Sequence, residues 1–406
     1  MTEKAKRISA CRLCYANQFK EVFVLPSMPL TDEFVTADKK GSEFLSDIII
    51  AICEHCGCVQ NMNDTDMDDY YNDYTYTVQS SAFAIDFMRK MAERINDSFF
   101  NGKSNPKVIE IGSGSGEQLL EFKKLGFEVL GIEPSKKLTE YANGIGVKTL
   151  HAFYDDKILE KLPDDFKEVD LILSSYTFDH IPEPSHVLQT INRNLKEGGI
   201  MVHEVHDLNL IKQRNEYCLF EHEHYTYLNE NTMKWVLAQN GFQCLTFNLL
   251  SKEEKRANSL LVASHKTTLI ESVDIDVKKE ISELQTLSKN IQESIFRIDN
   301  WLNSNKEFKI AAYGAGGRGV MTIAALDNFK LFRYLVDKNP KAQGIFAPKS
   351  HLPVYSIERL DEDRVDKILV FSFGYFNEIV EECCKRFNYE PQQFISLLDI
   401  IELQHA

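Results

Sequence analysis

Residues 106–122 read PKVIEIGSGSGEQLLEF. Lys107 to Ile111 form a short, mostly apolar run, the pattern of a buried parallel strand. Gly112, Gly114 and Gly116 follow, and then a helix begins. The spacing is E-x-G-x-G-x-G, not G-x-G-x-x-G. Glycines in such a turn let the backbone come close to a ligand and leave N–H groups exposed at a helix start. The next strand, FEVLGIEPS, ends in Glu133. An acidic side chain there can accept both hydroxyls of a ribose. The stretch reads as the opening of an α/β nucleoside-binding fold.

Further along, VDLILSSYTFDHIPEP gives another strand and a polar loop, and LKEGGIMVHEV a helix end, a Gly-Gly turn and a late strand. A lone glycine motif carries little. This order of glycine loop, acidic strand end, polar loop and late L-K-x-G-G resembles the class I S-adenosylmethionine methyltransferases. By that resemblance Gly112, Gly114 and Gly116 border the amino-acid end of the cofactor and Glu133 its ribose. Glu110 orients the loop or the cofactor's ammonium group, and Phe153 and Asp155 lie where the family contacts adenine.

A second strand–turn–helix stands near the C-terminus: FKIAAYGAGGRGVMTIAAL, then FRYLVDKNP. Here the spacing is G-x-G-x-x-G, with Gly314, Gly316, Gly319 and a strand-ending Asp337. A dinucleotide site, a phosphate or nucleotide-sugar site, and a fold that only supports a substrate pocket all suit it. Residues 269–306 join the two folds. Val277, Ile281, Leu284, Ile291, Ile295, Ile298 and Leu302 fall at steps of three and four with one gap, so a long amphipathic helix is expected.

The N-terminal segment carries two CxxC pairs, Cys11 with Cys14 and Cys53 with Cys56. Two such turns can complete a tetrahedron of thiolates around structural Zn²⁺, with no position left open for chemistry. Cys58 competes as a ligand. The chain has 406 residues and a formal net charge of −15, a balance unsuited to non-specific nucleic-acid or anionic-membrane binding. No apolar run reaches the roughly 20 residues of a membrane span. MTEKAKRISACRLC has charge but no apolar core, so no secretory signal is expected, and the location expected is cytoplasmic.

The three parts together resemble the nucleotide-deoxysugar C-methyltransferases, over nearly the whole chain. LPSMPLTDEF is similar to that family's L-G-x-x-P-L-A-D-x-F. DHIPEP matches its H-I-P loop, and EHEHYTYL is similar to its Y-x-E-H-F-x-Y-F. GAGGRG and LVDKNPKAQGIFAPKSHLPVYS match its C-terminal signature. The resemblance implies an α/β chain in three parts: a zinc-binding module at 1–68, an S-adenosylmethionine domain at 69–268, and, beyond the linking helix 269–306, a Rossmann-like domain at 307–406 that binds a nucleotide sugar. A monomer and a homodimer are both compatible with it.

The implied reaction adds a methyl group to a carbon next to a ketone. Carbon becomes a nucleophile only when a proton is removed, so a base poised near neutral pH is needed. By family match His224 is that base, Glu223 its neighbour and Tyr76 the matching phenol. His180 falls on the loop after the fourth strand, where methyl and acceptor should meet, and could hydrogen-bond the keto oxygen. Two positions depart from the pattern. Glu221 replaces a tyrosine, and RANS (residues 256–259) replaces H-G-G-S. Arg256 could thus serve an anionic acceptor group. O- or N-methylation of another precursor, and nucleotide-sugar binding without methylation, are the alternatives. A second metal on His203, His206, His222 and His224 is a further one, because H-x-H on a strand is a ligand geometry.

Overall fold

The computed structural model describes residues 5–67, 71, 82–256, 258–338 and 343–401. They fall into two compact units. The first contains Met1–Lys20, Ala51–Leu210 and His224–Glu280, and the second Glu21–Ile50, Ile211–Glu223 and Ile281–Ala406.

The first unit is built on a seven-stranded sheet: β1 (Lys107–Ile111), β2 (Glu128–Glu133), β3 (Thr149–His151), β4 (Val169–Ser175), β5 (Leu195–His206), β6 (Phe242–Thr246) and β7 (Ser259–Lys266). Their order is β3-β2-β1-β4-β5-β7-β6. The first five strands are parallel, and β7 runs antiparallel to both β5 and β6. Alternate residues of one strand feed two cores. Ile109, Ile111, Ile172 and Met201 join one, while Val108, Leu171, Leu173 and Val202 join the other. A strand covered on both faces has to be apolar throughout, which is why these segments read as continuous apolar runs.

The chain steps outward from β1 to β3, then crosses back to β4 on the other side of β1. Such a reversal opens a crevice at the carboxyl ends of the strands. The glycine loop leaves β1 there, Glu133 ends β2, the turn Phe178–His180 follows β4, and His206 ends β5.

Each CxxC pair forms a tight turn: Tyr15 N–H donates to Cys11 O at 3.0 Å and Gly57 N–H to Cys53 O at 2.9 Å. Gly57 sits at φ +70°, which suits a glycine there. The strand Val59–Asn61 then pairs antiparallel with Thr226–Tyr227, and Asn61 N–H donates to Tyr225 O. The backbone just after His224 is therefore held by the strand that leaves the second cysteine pair.

The second unit has a parallel sheet of β8 (Ile310–Tyr313), β9 (Phe332–Val336), β10 (Val354–Tyr355), β11 (Lys367–Val370) and β12 (Phe394–Ser396), in the order β10-β9-β8-β11-β12. The amphipathic helix is present as Val277–Ser304, 28 residues long. It buries Leu284, Leu287, Ile291, Ile298 and Leu302. Among the described residues no helix is long and apolar enough to cross a membrane.

Candidate active site

The loop after β1 is shaped by its glycines. Gly112, Gly114 and Gly116 have φ of +68°, +53° and +89°. A Cβ on Gly112 would lie 2.4 Å from Thr177 Oγ1, so a side chain is excluded by contact as well as by backbone angle. Glu133 fastens this loop. One of its carboxylate oxygens accepts the Gly114 N–H at 2.8 Å and the other the Ser135 N–H at 2.8 Å. Burial raises its pKa, and the two N–H groups only partly counter that. Each oxygen keeps a second lone pair for a ligand hydroxyl.

Beneath the loop, Glu110 is 3% exposed and its Oε2 is buried without a hydrogen-bond partner. Its pKa stands well above the usual carboxylate range, through burial first and then through Glu117 and Glu133. A buried acceptor left open beside an N–H-lined glycine turn suits a ligand that brings a cationic donor. The amino-acid end of S-adenosylmethionine is such a ligand, so the residues present fit the cofactor. Phe153 is 45% exposed and Asp155 is exposed, on the loop after β3, with the buried Tyr154 between them.

Three imidazoles gather at the ends of β4 and β5. His206 Nδ1 lies 2.6 Å from Asp179 Oδ2. The His224 ring stands 4.6 Å from the His180 ring, at 90°, and 4.7 Å from the His206 ring. His180 Nδ1 is 3.0 Å from the Tyr71 hydroxyl. Asp179 is 2% exposed. Burial favours its neutral form, yet His206, with His180 and His224 behind it, holds the carboxyl well below the usual range. His224 is itself 4% exposed. A shielded imidazole beside a carboxylate and near a ligand crevice can take and return a proton.

The four cysteines converge as well. Sγ of Cys11 and Cys56 are 3.6 Å apart, and those of Cys14 and Cys53 are 3.5 Å apart. Four sulfurs each about 2.3 Å from a zinc ion would be spaced by about 3.8 Å. Without a metal, burial pushes the Cys14 thiol up to about 12, and hydrogen bonding to Cys11 and Cys53 raises Cys56, whereas hydrogen bonds from Cys53, Cys56 and Cys58 pull Cys11 down. A bound dication reverses that balance. Cys58 stands outside the set that could share one ion and turns its thiol toward Val59 O.

Family models match the chain in three consecutive pieces: a zinc binding domain at residues 11–71, a methyltransferase domain at 83–246 and a C-methyltransferase C-terminal domain at 267–398. The C-methyltransferase NovU of Streptomyces niveus is 23% identical, over 94% of this chain and 93% of its own. The chain belongs to the three-domain C-methyltransferase family. It is an S-adenosylmethionine-dependent methyltransferase with a structural zinc module. A protein-L-isoaspartate O-methyltransferase of Dictyoglomus thermophilum is 34% identical, over 25% of this chain and 44% of its own. Among solved structures, the plantazolicin methyltransferase BpumL in complex with SAH has a TM-score of 0.38 at 13% identity and covers 50% of this chain and 89% of its own.

The remaining expected residues of the methyltransferase stand as follows. His222 and His224 are separated by a turn at His222–Glu223, so they are not strand neighbours on one face. His222 sets Nε2 2.9 Å from Met28 O, and His203 pairs with Ser174 inside the sheet. The four-histidine metal set is therefore not assembled.

Glu221 and Glu223 belong to the second unit. Glu223 Oε1 accepts the Thr31 hydroxyl at 2.8 Å. Glu221 lies against Gly317 at the start of the helix Gly317–Ala325, where a Cβ would come 2.8 Å from its Oε1. Its pKa is raised well above normal by burial, then by Glu223 and Asp32, with Arg318 opposing. In the glycine loop beside it, Ala315 N–H donates to Asp337 Oδ2 at 2.6 Å. That contact parallels the one between Gly114 and Glu133.

Arg256 sits 3.6 Å from the fully buried Glu204 and over the rings of Phe87 and Tyr176. Its charge is thus met within the chain, against the expectation of a free anion-binding arginine. Tyr76 lies outside the described residues, and Tyr71 is the phenol placed on His180. Asp179 was not expected as a site residue and His206 only as a metal ligand. Their one signal was position, since His206 ends β5 and Asp179 lies in the turn after β4, both at the crevice.

Proposed function

We propose that this methyltransferase adds a methyl group to carbon in a nucleotide-linked keto-deoxysugar, through an enolate formed by base. The observation that carries the reading is the shielded His224, packed between His180 and His206 beside an ionised Asp179. His224 takes the proton of the C–H next to the ketone on a ring nitrogen. His180 donates to the keto oxygen as charge develops on it, and Tyr71 sets which ring nitrogen of His180 faces outward. S-adenosylmethionine, when bound, supplies an electrophilic methyl group. The N–H groups of the glycine loop, Glu110 and Glu133 would hold it, with Phe153 and Asp155 beside its base.

On the second unit, Glu221 and Glu223 are assigned to the sugar and the loop from Gly314 to Gly319 to its nucleotide part, while Tyr76 is assigned on the family match alone. Transfer to carbon is supported by the full-length similarity to a protein named as a C-methyltransferase. We place the reaction in the cytoplasm, where thiolate ligands of zinc stay reduced. The test is His224→Gln. Methyl transfer should be lost while S-adenosylhomocysteine binding by calorimetry stays unchanged. Full activity in that variant would remove His224 as the base.

A further inference from the structure

The proton-transfer reading uses His224 and His180 but leaves the most buried charge of the cluster without a task. Asp179 stands at the centre. Its backbone oxygen accepts the Tyr225 N–H at 2.8 Å, which fixes the segment that carries His224. Its Oδ2 accepts from His206 twice, from Nδ1 at 2.6 Å and from the backbone N–H at 3.3 Å. Its Oδ1 is buried, has no hydrogen-bond partner and lies 3.9 Å from His180 Nε2. One carboxylate oxygen of Asp179 and one ring nitrogen each of His180 and His224 lie within 4.8 Å of one another. A buried, unpaired carboxylate oxygen is costly unless a charge or proton comes to it during the working cycle.

We propose that Asp179 is the positioning residue of the proton-transfer site: through Oδ2 it locks His206 with its proton on Nδ1, and through Oδ1 it waits beside His224 and His180 for the imidazolium formed when the substrate's C–H proton is taken. This deepens the reading of His224 as base and rests on it. The C–H bond breaks, its proton moves to a His224 nitrogen, and its electron pair stays on that carbon, shared with the keto oxygen as the enolate. The C–C bond to the methyl group would form as the bond from that methyl to the donor's sulfur breaks, with the pair left on sulfur. Asp179 stays ionised throughout and takes no proton, as the carboxylate of a hydrolase triad does. His180, whose side chain is 21% exposed, provides the way for the proton to reach solvent. His206 serves as a spacer. It ties down Oδ2 and packs against Tyr176, with ring centroids 4.4 Å apart and planes tilted by 32°, which leaves Oδ1 as the oxygen without a hydrogen bond.

The groups that face His224 or its neighbours are Asp179 and His180 from the turn after β4, His206 from the end of β5, and Tyr227 at 6.2 Å. Tyr71 stands behind His180 and Glu204 near His206. Among these, Asp179 is the carboxylate within 4.8 Å of ring nitrogens of both His180 and His224. An opposite charge at about 4–6 Å moves a titration by about one to three units.

The test is the titration of His224 by NMR in zinc-loaded protein with S-adenosylhomocysteine bound, which needs no acceptor substrate. Asp179→Asn keeps an oxygen to accept from His206 and removes the charge. The His224 midpoint should fall by about one unit or more, and Asp179→Glu should recover part of the shift. The acid limb of the kcat profile should move the same way, with the S-adenosylhomocysteine Kd unchanged. An unmoved His224 midpoint in a folded Asp179→Asn would overturn the proposal.

A second measurement needs no variant. Nitrogen shifts of His206 in the native protein should report the proton on Nδ1 between pH 6 and 8, and the opposite tautomer would refute the arrangement. Methyl transfer lost on dialysis against EDTA, with the cysteine-bound zinc still in place, would also overturn it, since the trio would then be holding a cation. If the His224 midpoint moves but the methyl group is found on oxygen, the carbon-methylation reading fails and the role of Asp179 stands.

Discussion

Replacing Glu110 by Gln should separate two quantities that usually fall together. Glu110 Oε2 is buried with no partner, and the whole side chain is 3% exposed, so solvent does little to screen it. Burial, then Glu117 and Glu133, raise its folded pKa well above the unfolded value of about 4.3. A raised acid contributes stability that is complete below the unfolded pKa and is lost as pH rises through the folded pKa. The ligand-free native protein should therefore lose stability as pH climbs above about 4.3. Glu110→Gln should lack that decline and melt higher at pH 8. Cofactor affinity should move the other way. A charge-assisted hydrogen bond contributes about 1.5–3 kcal/mol, so S-adenosylhomocysteine should bind about 10- to 150-fold more weakly. Calorimetry at pH 6 and pH 8, beside thermal melts of the ligand-free protein, reads both. Equal affinity in the two proteins, with the same slope of Tm against pH, would refute the assignment of Glu110 to the cofactor's ammonium group.

Elemental analysis should find one zinc per chain, lost in Cys56→Ser and kept in Cys58→Ser, since Cys58 stands outside the four-sulfur set. Binding of zinc to the metal-free protein should release protons, because burial holds the Cys14 thiol, and hydrogen bonding to Cys11 and Cys53 the Cys56 thiol, protonated at neutral pH. Arg256→Met should destabilise the fold by about 3–5 kcal/mol in urea titration, because it strands the buried Glu204. Glu204→Gln in the same chain should recover most of the loss, whereas an arginine that served only substrate would leave stability unchanged.

Local pattern revealed the parts that local physics sets. The apolar runs of β1 and β4, the positive-φ glycines and the paired CxxC turns are each fixed within a few residues, and each can be read in a short window. The grouping of distant segments cannot. Residues 21–50 and 211–223 fold with the C-terminal part because of contacts such as Glu43 to His351 and Glu216 to Arg318, 308 and 102 positions apart. No periodicity records such a contact. The H-x-H pair misled for a related reason. It has the spacing of a strand, but a turn at His222–Glu223 breaks the alternation, and each ring then follows its own partner. Asp179 was hidden in plain view beside His180. A carboxylate's value lies in what it faces, and His206 and His224 come to it from 27 and 45 residues away.

The most direct test of base-dependent carbon methylation is the bond made to the transferred methyl group. The protein is incubated with methyl-¹³C S-adenosylmethionine and a nucleotide-linked 4-keto-deoxysugar uniformly labelled with ¹³C, and the product is examined by NMR. A methyl carbon showing one-bond coupling to a sugar carbon next to the ketone, absent with His224→Gln, is the predicted result. A methyl carbon without carbon–carbon coupling, at the shift of an O- or N-methyl group, would contradict it.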